Sequence, residues 1–177
     1  HAMAGASVLV NLSASNETVG KDSYREMLVK SASARFIAGY VYASAGDGES
    51  TQDLVFGGHN LIAENGTVLA QSKRFDAQTV CADLDIHRIN HERRRMTSFH
   101  VGKKEGYQVL RFRMEEEDTE LDRSFYAMPF VPSEQKEREK RCDEILSIQS
   151  YGLKKRYEHT GAKTCLLYTS PSPRDRT

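Results

Sequence analysis

The stretch Ser7–Ala45, SVLVNLSASNETVGKDSYREMLVKSASARFIAGYVYASA, decides the fold. Ser7–Leu12 is a short apolar run rich in β-branched residues, too short for a helix, and it predicts a buried strand. Ser13–Lys21 follows as a loop of Ser, Asn, Thr and Gly. Ser23 and Glu26 have the S-x-x-E spacing of a capping box, which places a helix start there and carries the helix to about Ile37. Tyr24, Met27, Leu28, Ser31, Ala32 and Arg35 fall near one face of that helix, which makes it the expected packing face. Gly39–Ala45 reads as a second strand, closed by the turn Gly46-Asp-Gly48.

Outward from this core the pattern continues. His59–Glu64 and Thr67–Ser72 are two strands joined by Asn65-Gly66, a dipeptide suited to a type I′ hairpin turn. Thr79–Leu84 alternates like a strand, Ile86–Met96 reads as a short basic helix, and Gly106–Met114 is a further candidate strand. The order strand–helix–strand–hairpin–strand–helix is an α/β pattern with a mixed sheet. An acidic stretch begins at Glu115, Phe130-Val-Pro132 reads as a connector, and Ser133–His159 is helical in pattern and highly charged. Cys165–Thr177, CLLYTSPSPRDRT, has no periodicity and reads as a disordered tail.

Lys+Arg and Asp+Glu both number 25, so the chain carries no net field to draw nucleic acid or an anionic membrane. No apolar run approaches the roughly 20 residues that span a bilayer. His1–Ala6 has no signal-peptide character, so the sequons at Asn11, Asn16 and Asn65 read as chance matches. Cys81, Cys142 and Cys165 are far apart and lack CxxC spacing, which argues against a disulfide framework or a zinc site and fits a reducing cytoplasm.

Three segments in order, NLSASNETVGK (Asn11–Lys21), SASARFIAGYVYASAGDGESTQDL (Ser31–Leu54) and GHNLIAENGTVLAQSKRF (Gly58–Phe75), resemble the second half of the amidase domain of glutamine-dependent NAD synthetases, of the nitrilase (carbon–nitrogen hydrolase) superfamily. The resemblance continues through the connector to Lys163. It implies part of a four-layer α–β–β–α sandwich, with residues 1–114 the C-terminal part of the glutaminase domain. Residues 115–163 would be a connector and linker helix toward a synthetase domain, and residues 164–177 a non-native or disordered tail. The tail resembles translated sequencing-adapter sequence. The family's Glu base, Lys and Cys nucleophile would all lie upstream of His1, so no catalytic residue is assigned in this chain. The family's ATP-binding SGGxDS loop, expected after the segment ending at Thr164, is absent as well.

For the whole enzyme the resemblance implies a cytoplasmic ligase of NAD biosynthesis. It would hydrolyse glutamine and use the ammonia to convert nicotinate adenine dinucleotide to NAD with ATP and Mg²⁺, as a homo-oligomer. For this chain it implies one site: Ser15 and Lys21 match the family's Ser and basic residue that contact the α-amino/α-carboxylate end of glutamine. A cation suits a carboxylate, although Lys21 lacks the bidentate fork of the arginine common there. Without the family match, Ser15 would read as a turn serine and Lys21 as a surface lysine. Cys81 reads as a core thiol at an alternating strand position. His87 and His91 stand four apart beside Arg93-Arg-Arg95, but no third ligand accompanies them, so they read as a surface helix face. The acids of Gly46–Asp53 read as a structural loop near the mouth of the site. Two alternatives remain: a stand-alone amidase of the superfamily, against which the connector argues, and a non-enzymatic module, for which no feature speaks.

Overall fold

Val8–Ser13 forms β1 and Gly39–Ser44 forms β2, paired in parallel from Val8↔Gly39 to Ser13↔Ser44. Parallel neighbours need a crossover, and helix α1, Lys21–Phe36, supplies it. Strands β3 (Leu61–Glu64) and β4 (Thr67–Gln71) extend the sheet antiparallel, giving the order β1-β2-β3-β4. Helices α2 (Ile86–Arg95) and α3 (Gln135–Thr160) follow. This computed structural model describes residues 1–102, 104–115, 117, 120–125, 127–128 and 131–163, so the expected tail 164–177, Cys165 and part of the Phe130 connector lie outside the described residues. The chain divides into a unit His1–Arg123 and a second one from Ser124 onward. In the second unit α3 buries none of its residues.

The β3–β4 turn has the expected chemistry. Asn65 and Gly66 both have positive φ (43° and 87°), the requirement of a type I′ turn. The Gly66 amide donates to Ser33 Oγ at 3.2 Å, and a Cβ on Gly66 would stand 3.0 Å from that of Ala34. Ser33 Oγ in turn donates to the Ala38 carbonyl at 2.7 Å, so one buried hydroxyl ties helix end to hairpin. Glu64, buried at the end of β3, accepts from the Asp85 amide at 2.7 Å and pairs with Arg123 at 2.9 Å.

Helix α1 begins at Lys21, two residues before the expected box, with no side-chain cap; the Lys21 amide closes a turn on the Thr18 carbonyl at 3.1 Å instead. Its buried face is also not the expected one. Arg25, Val29 and Ser33, four apart, face the sheet, whereas Tyr24, Met27 and Leu28 are exposed. The core is Val29, Tyr42, Leu61 and Ala63, with Tyr40 and Val68 against it. The expectation had sorted residues by hydropathy; the helix is turned by a buried arginine that has partners.

Other expectations fail for a shared reason. Thr79–Leu84 and Gly106–Met114 are not strands, because neither has a partner ladder. Cys81 is therefore exposed rather than a core thiol. Strand β1 exists but is an edge with one bare face: Val10 is 67% and Leu12 81% exposed. The basic run of α2 divides. Arg93 is buried and donates to the carbonyls of Ile37 and Ala6 at 2.8 Å and of Phe36 at 3.0 Å, while Arg94 and Arg95 face solvent. Among the described residues no helix is long and apolar enough to cross a membrane.

Candidate functional site

Because β1 and β2 run parallel, the segments that leave their C-terminal ends meet at one edge of the sheet, where open α/β sheets place ligands. The Ala45 amide bonds the Ser13 carbonyl at 2.8 Å, the Glu17 amide bonds Val55 O at 2.7 Å, and the Gly58 amide bonds Ala45 O at 2.9 Å. The loop that carries Ser15 is thus sewn to the loop after β2. Gly57 is needed for this approach: a Cβ there would meet Glu17 Cγ at 2.9 Å.

Below the loop lies a buried ion cluster that sequence reading missed. Arg25 Nη1 stands 2.9 Å from Glu17 Oε1 and 3.0 Å from His59 Nδ1. Arg74 reaches Glu17 Oε2 at 3.6 Å and Asp22 Oδ2 at 3.2 Å. His59 is fully buried, and its other nitrogen is 2.7 Å from the Gln71 amide. Neither Glu17 oxygen lies on the line of a donor N–H, so its charge is met by ion pairing rather than by aligned hydrogen bonds. Burial, and then the Arg25 guanidinium, lower the pKa of His59, while Glu17 works in the opposite direction. The backbone amide of Ser23, and Arg74 beside it, hold the Asp22 carboxyl below its usual range against its partial desolvation.

An arginine can only donate, so His59 Nδ1 must present its lone pair and the ring proton sits on Nε2. The Gln71 side-chain nitrogen stands 2.7 Å from His59 Nε2, so a hydrogen bond to that proton requires the amide to exchange its nitrogen and oxygen. The ring is held between the side chains of Arg25 and Gln71.

The two residues expected to hold a substrate sit on this platform. Lys21 Nζ donates to Asn16 O at 2.5 Å and to Asn16 Oδ1 at 3.1 Å, which folds its cation back over the loop. The Ser15 carbonyl lies 3.5 Å from Arg25 Nη2. A cavity of about 660 Å³ opens on the same edge of the sheet, lined among others by Ser44, Asp47, Asn60, Phe75 and Asp76. Ser15 and Lys21 do not line it. In the loop Gly46–Asp53, Glu49 accepts from the Gly46 amide at 2.7 Å and so closes its own turn. His87 and His91 are exposed, and among the described residues no three His, Cys, Asp or Glu side chains converge as metal ligands.

The chain is 40% identical over 165 residues to the glutamine-dependent NAD(+) synthetases of Mycobacterium bovis, Mycobacterium tuberculosis and Mycobacterium leprae, with 88% of this chain covered. It is a homologue of part of these synthetases. It spans about a quarter (24%) of the length of the curated relatives it matches. Among solved structures, the glutamine-dependent NAD(+) synthetase from Cytophaga hutchinsonii is 35% identical over 42% of this chain and 13% of that one, with a TM-score of 0.40. No family model matches the chain.

Proposed function

We propose that this chain is a section of the glutaminase half of a glutamine-dependent NAD synthetase, and that its loop 13–21 holds the α-amino/α-carboxylate end of glutamine. The observation that carries this is the anchoring of that loop, at the carboxyl edge of a parallel pair, on a buried ion cluster. Lys21 supplies a cation for the carboxylate, and the Ser15 hydroxyl a partner that can donate or accept. The bare apolar face of β1 supports the nitrilase-type sandwich, since a second layer would cover Val10 and Leu12. Residues 1–114 belong to that layer system in this reading, and 115–163 lead through α3 toward a synthetase domain of the same enzyme.

The chain holds one end of the substrate and does not attack it. Cys81 and Cys142 are exposed. In the whole enzyme a thiolate supplied by other residues would attack the side-chain amide and release ammonia. The ammonia would then amidate nicotinate adenine dinucleotide at the expense of ATP.

Titration of the labelled chain with L-glutamine, followed by amide NMR, tests the reading. One ion pair with a hydroxyl contact is expected to give a dissociation constant on the order of 1 mM, with shifts confined to residues near Ser15 and Lys21. Butyramide keeps the amide and lacks the α groups, so it should give no such shifts. Equal shifts with both compounds, or none with glutamine, would sink the assignment. The same samples should release no ammonia; release that disappears in Cys81→Ser would overturn the account of the attacking group.

A further inference from the structure

We propose that Arg25 is a positioning residue for the glutamine-holding loop, with His59 as the acceptor that fixes its guanidinium; this rests on the reading of Ser15 and Lys21 given above. Arg25 is the point where three parts of the molecule meet. It belongs to the first turns of α1, it pairs with Glu17 of the loop, and it faces His59 just before β3. Its second nitrogen reaches the carbonyl of Ser15 itself.

The geometry makes the arrangement directional. A lysine could neutralise Glu17, but a single ammonium cannot face Glu17, His59 and the Ser15 carbonyl at fixed angles as a planar fork does. The lone pair on His59 Nδ1 faces the fork and sets its rotation, and Gln71 on β4 stands against the other ring nitrogen. The line Gln71–His59–Arg25–Glu17 therefore runs from the hairpin to the substrate loop. Removing Arg25 leaves Glu17 buried with, among the described residues, Arg74 alone as its cation at 3.6 Å, and a buried carboxylate so poorly met must draw in water or lift the loop. Lifting it breaks the Glu17 amide bond to Val55 and shifts Ser15 two residues away.

Amide hydrogen exchange and L-glutamine titration on the full chain test this. In Arg25→Met the Glu17 amide should exchange about tenfold faster or more, while the Ile62 and Ala63 amides in the ladder keep their protection. Glutamine binding should weaken by a similar factor, and Arg25→Lys should recover part of both. Lys30→Met, an exposed change on the same helix, should alter neither. Unchanged Glu17 exchange with the ladder intact overturns the proposal. If Arg25→Met also loses ladder protection, Glu17→Gln takes its place: it removes the charge that Arg25 holds and keeps the shape, and a loop as protected as in the parent overturns the proposal. A loop that loosens in these variants, in a chain whose wild type shows no glutamine shifts, overturns the glutamine reading while the clamp itself stands.

Discussion

Replacing Arg93 by methionine removes three hydrogen bonds at once. The guanidinium of Arg93 donates to Ile37, Ala6 and Phe36 carbonyls at 2.8, 2.8 and 3.0 Å, and stacks over Phe99 at 4.8 Å. Two of these carbonyls end α1, where acceptors are left over and the helix dipole favours a cation. The third belongs to the segment that enters β1. Ile37, a β-branched residue, is held there at φ 46°, a left-handed conformation that costs roughly 1–2 kcal/mol and needs such an anchor. Each hydrogen bond to a charged group contributes about 1.5–3 kcal/mol, and the desolvation of Arg93, which lowers its pKa, offsets part of the sum. Methionine retains the apolar stem. The net loss should be about 3–5 kcal/mol, a large share of the roughly 5–15 kcal/mol that stabilises a domain. Urea unfolding at low protein concentration reads it: with a slope of about 1–3 kcal/mol per molar, the midpoint should fall by 1 M or more. Arg95→Met is the control, since Arg95 is 69% exposed in a 3.6 Å pair with Glu92 and should cost under about 0.5 kcal/mol. Coincident midpoints for the two variants would refute the anchoring role of Arg93.

Three further outcomes are expected. Gly66→Ala should destabilise the hairpin by about 1–2 kcal/mol, because φ is 87° and the new methyl meets Ala34; a neutral effect on the urea midpoint would contradict the turn geometry. Leu12→Lys should reduce self-association, measured by light scattering, without changing the circular dichroism, because the bare edge of β1 is a site for intermolecular pairing; unchanged scattering would point to another surface. Stability should fall as pH drops below the ordinary histidine value of 6.5. His59 is surrounded by Arg25 and Asp22 from α1, Glu17 from the loop, Arg74, and Gln71 from β4, and its folded pKa is lowered. The unfolded chain therefore takes up a proton that the folded one resists, and the stability present above pH 6.5 is lost below it. His59→Gln should flatten that dependence, and equal slopes would show that other groups carry it.

Much of the fold was legible because it is written in local patterns. The run of Ser7–Leu12, the span of α1 and the Asn65-Gly66 turn each concern neighbours in the chain, and each element lies within two residues of its expected place. The strands expected at Thr79–Leu84 and Gly106–Met114 were not legible in the same way, since alternation is local but a ladder needs a partner edge. The site divides similarly. Ser15 and Lys21 stand out by sequence resemblance. Glu17, Arg25, His59 and Arg74 do not, because hydropathy patterns assign charged residues to solvent.

Local pattern alone specifies that a strand, a helix and a second strand precede a hairpin, and which family they resemble. Long-range packing sets which face of α1 is buried, parts Arg93 from Arg94 and Arg95, and brings the Ser15 carbonyl to the Arg25 guanidinium. The physical reason is distance along the chain. Arg25 meets His59 across 34 residues and Arg93 meets Ile37 across 56, and a charge can be buried only where the fold brings such a partner to it.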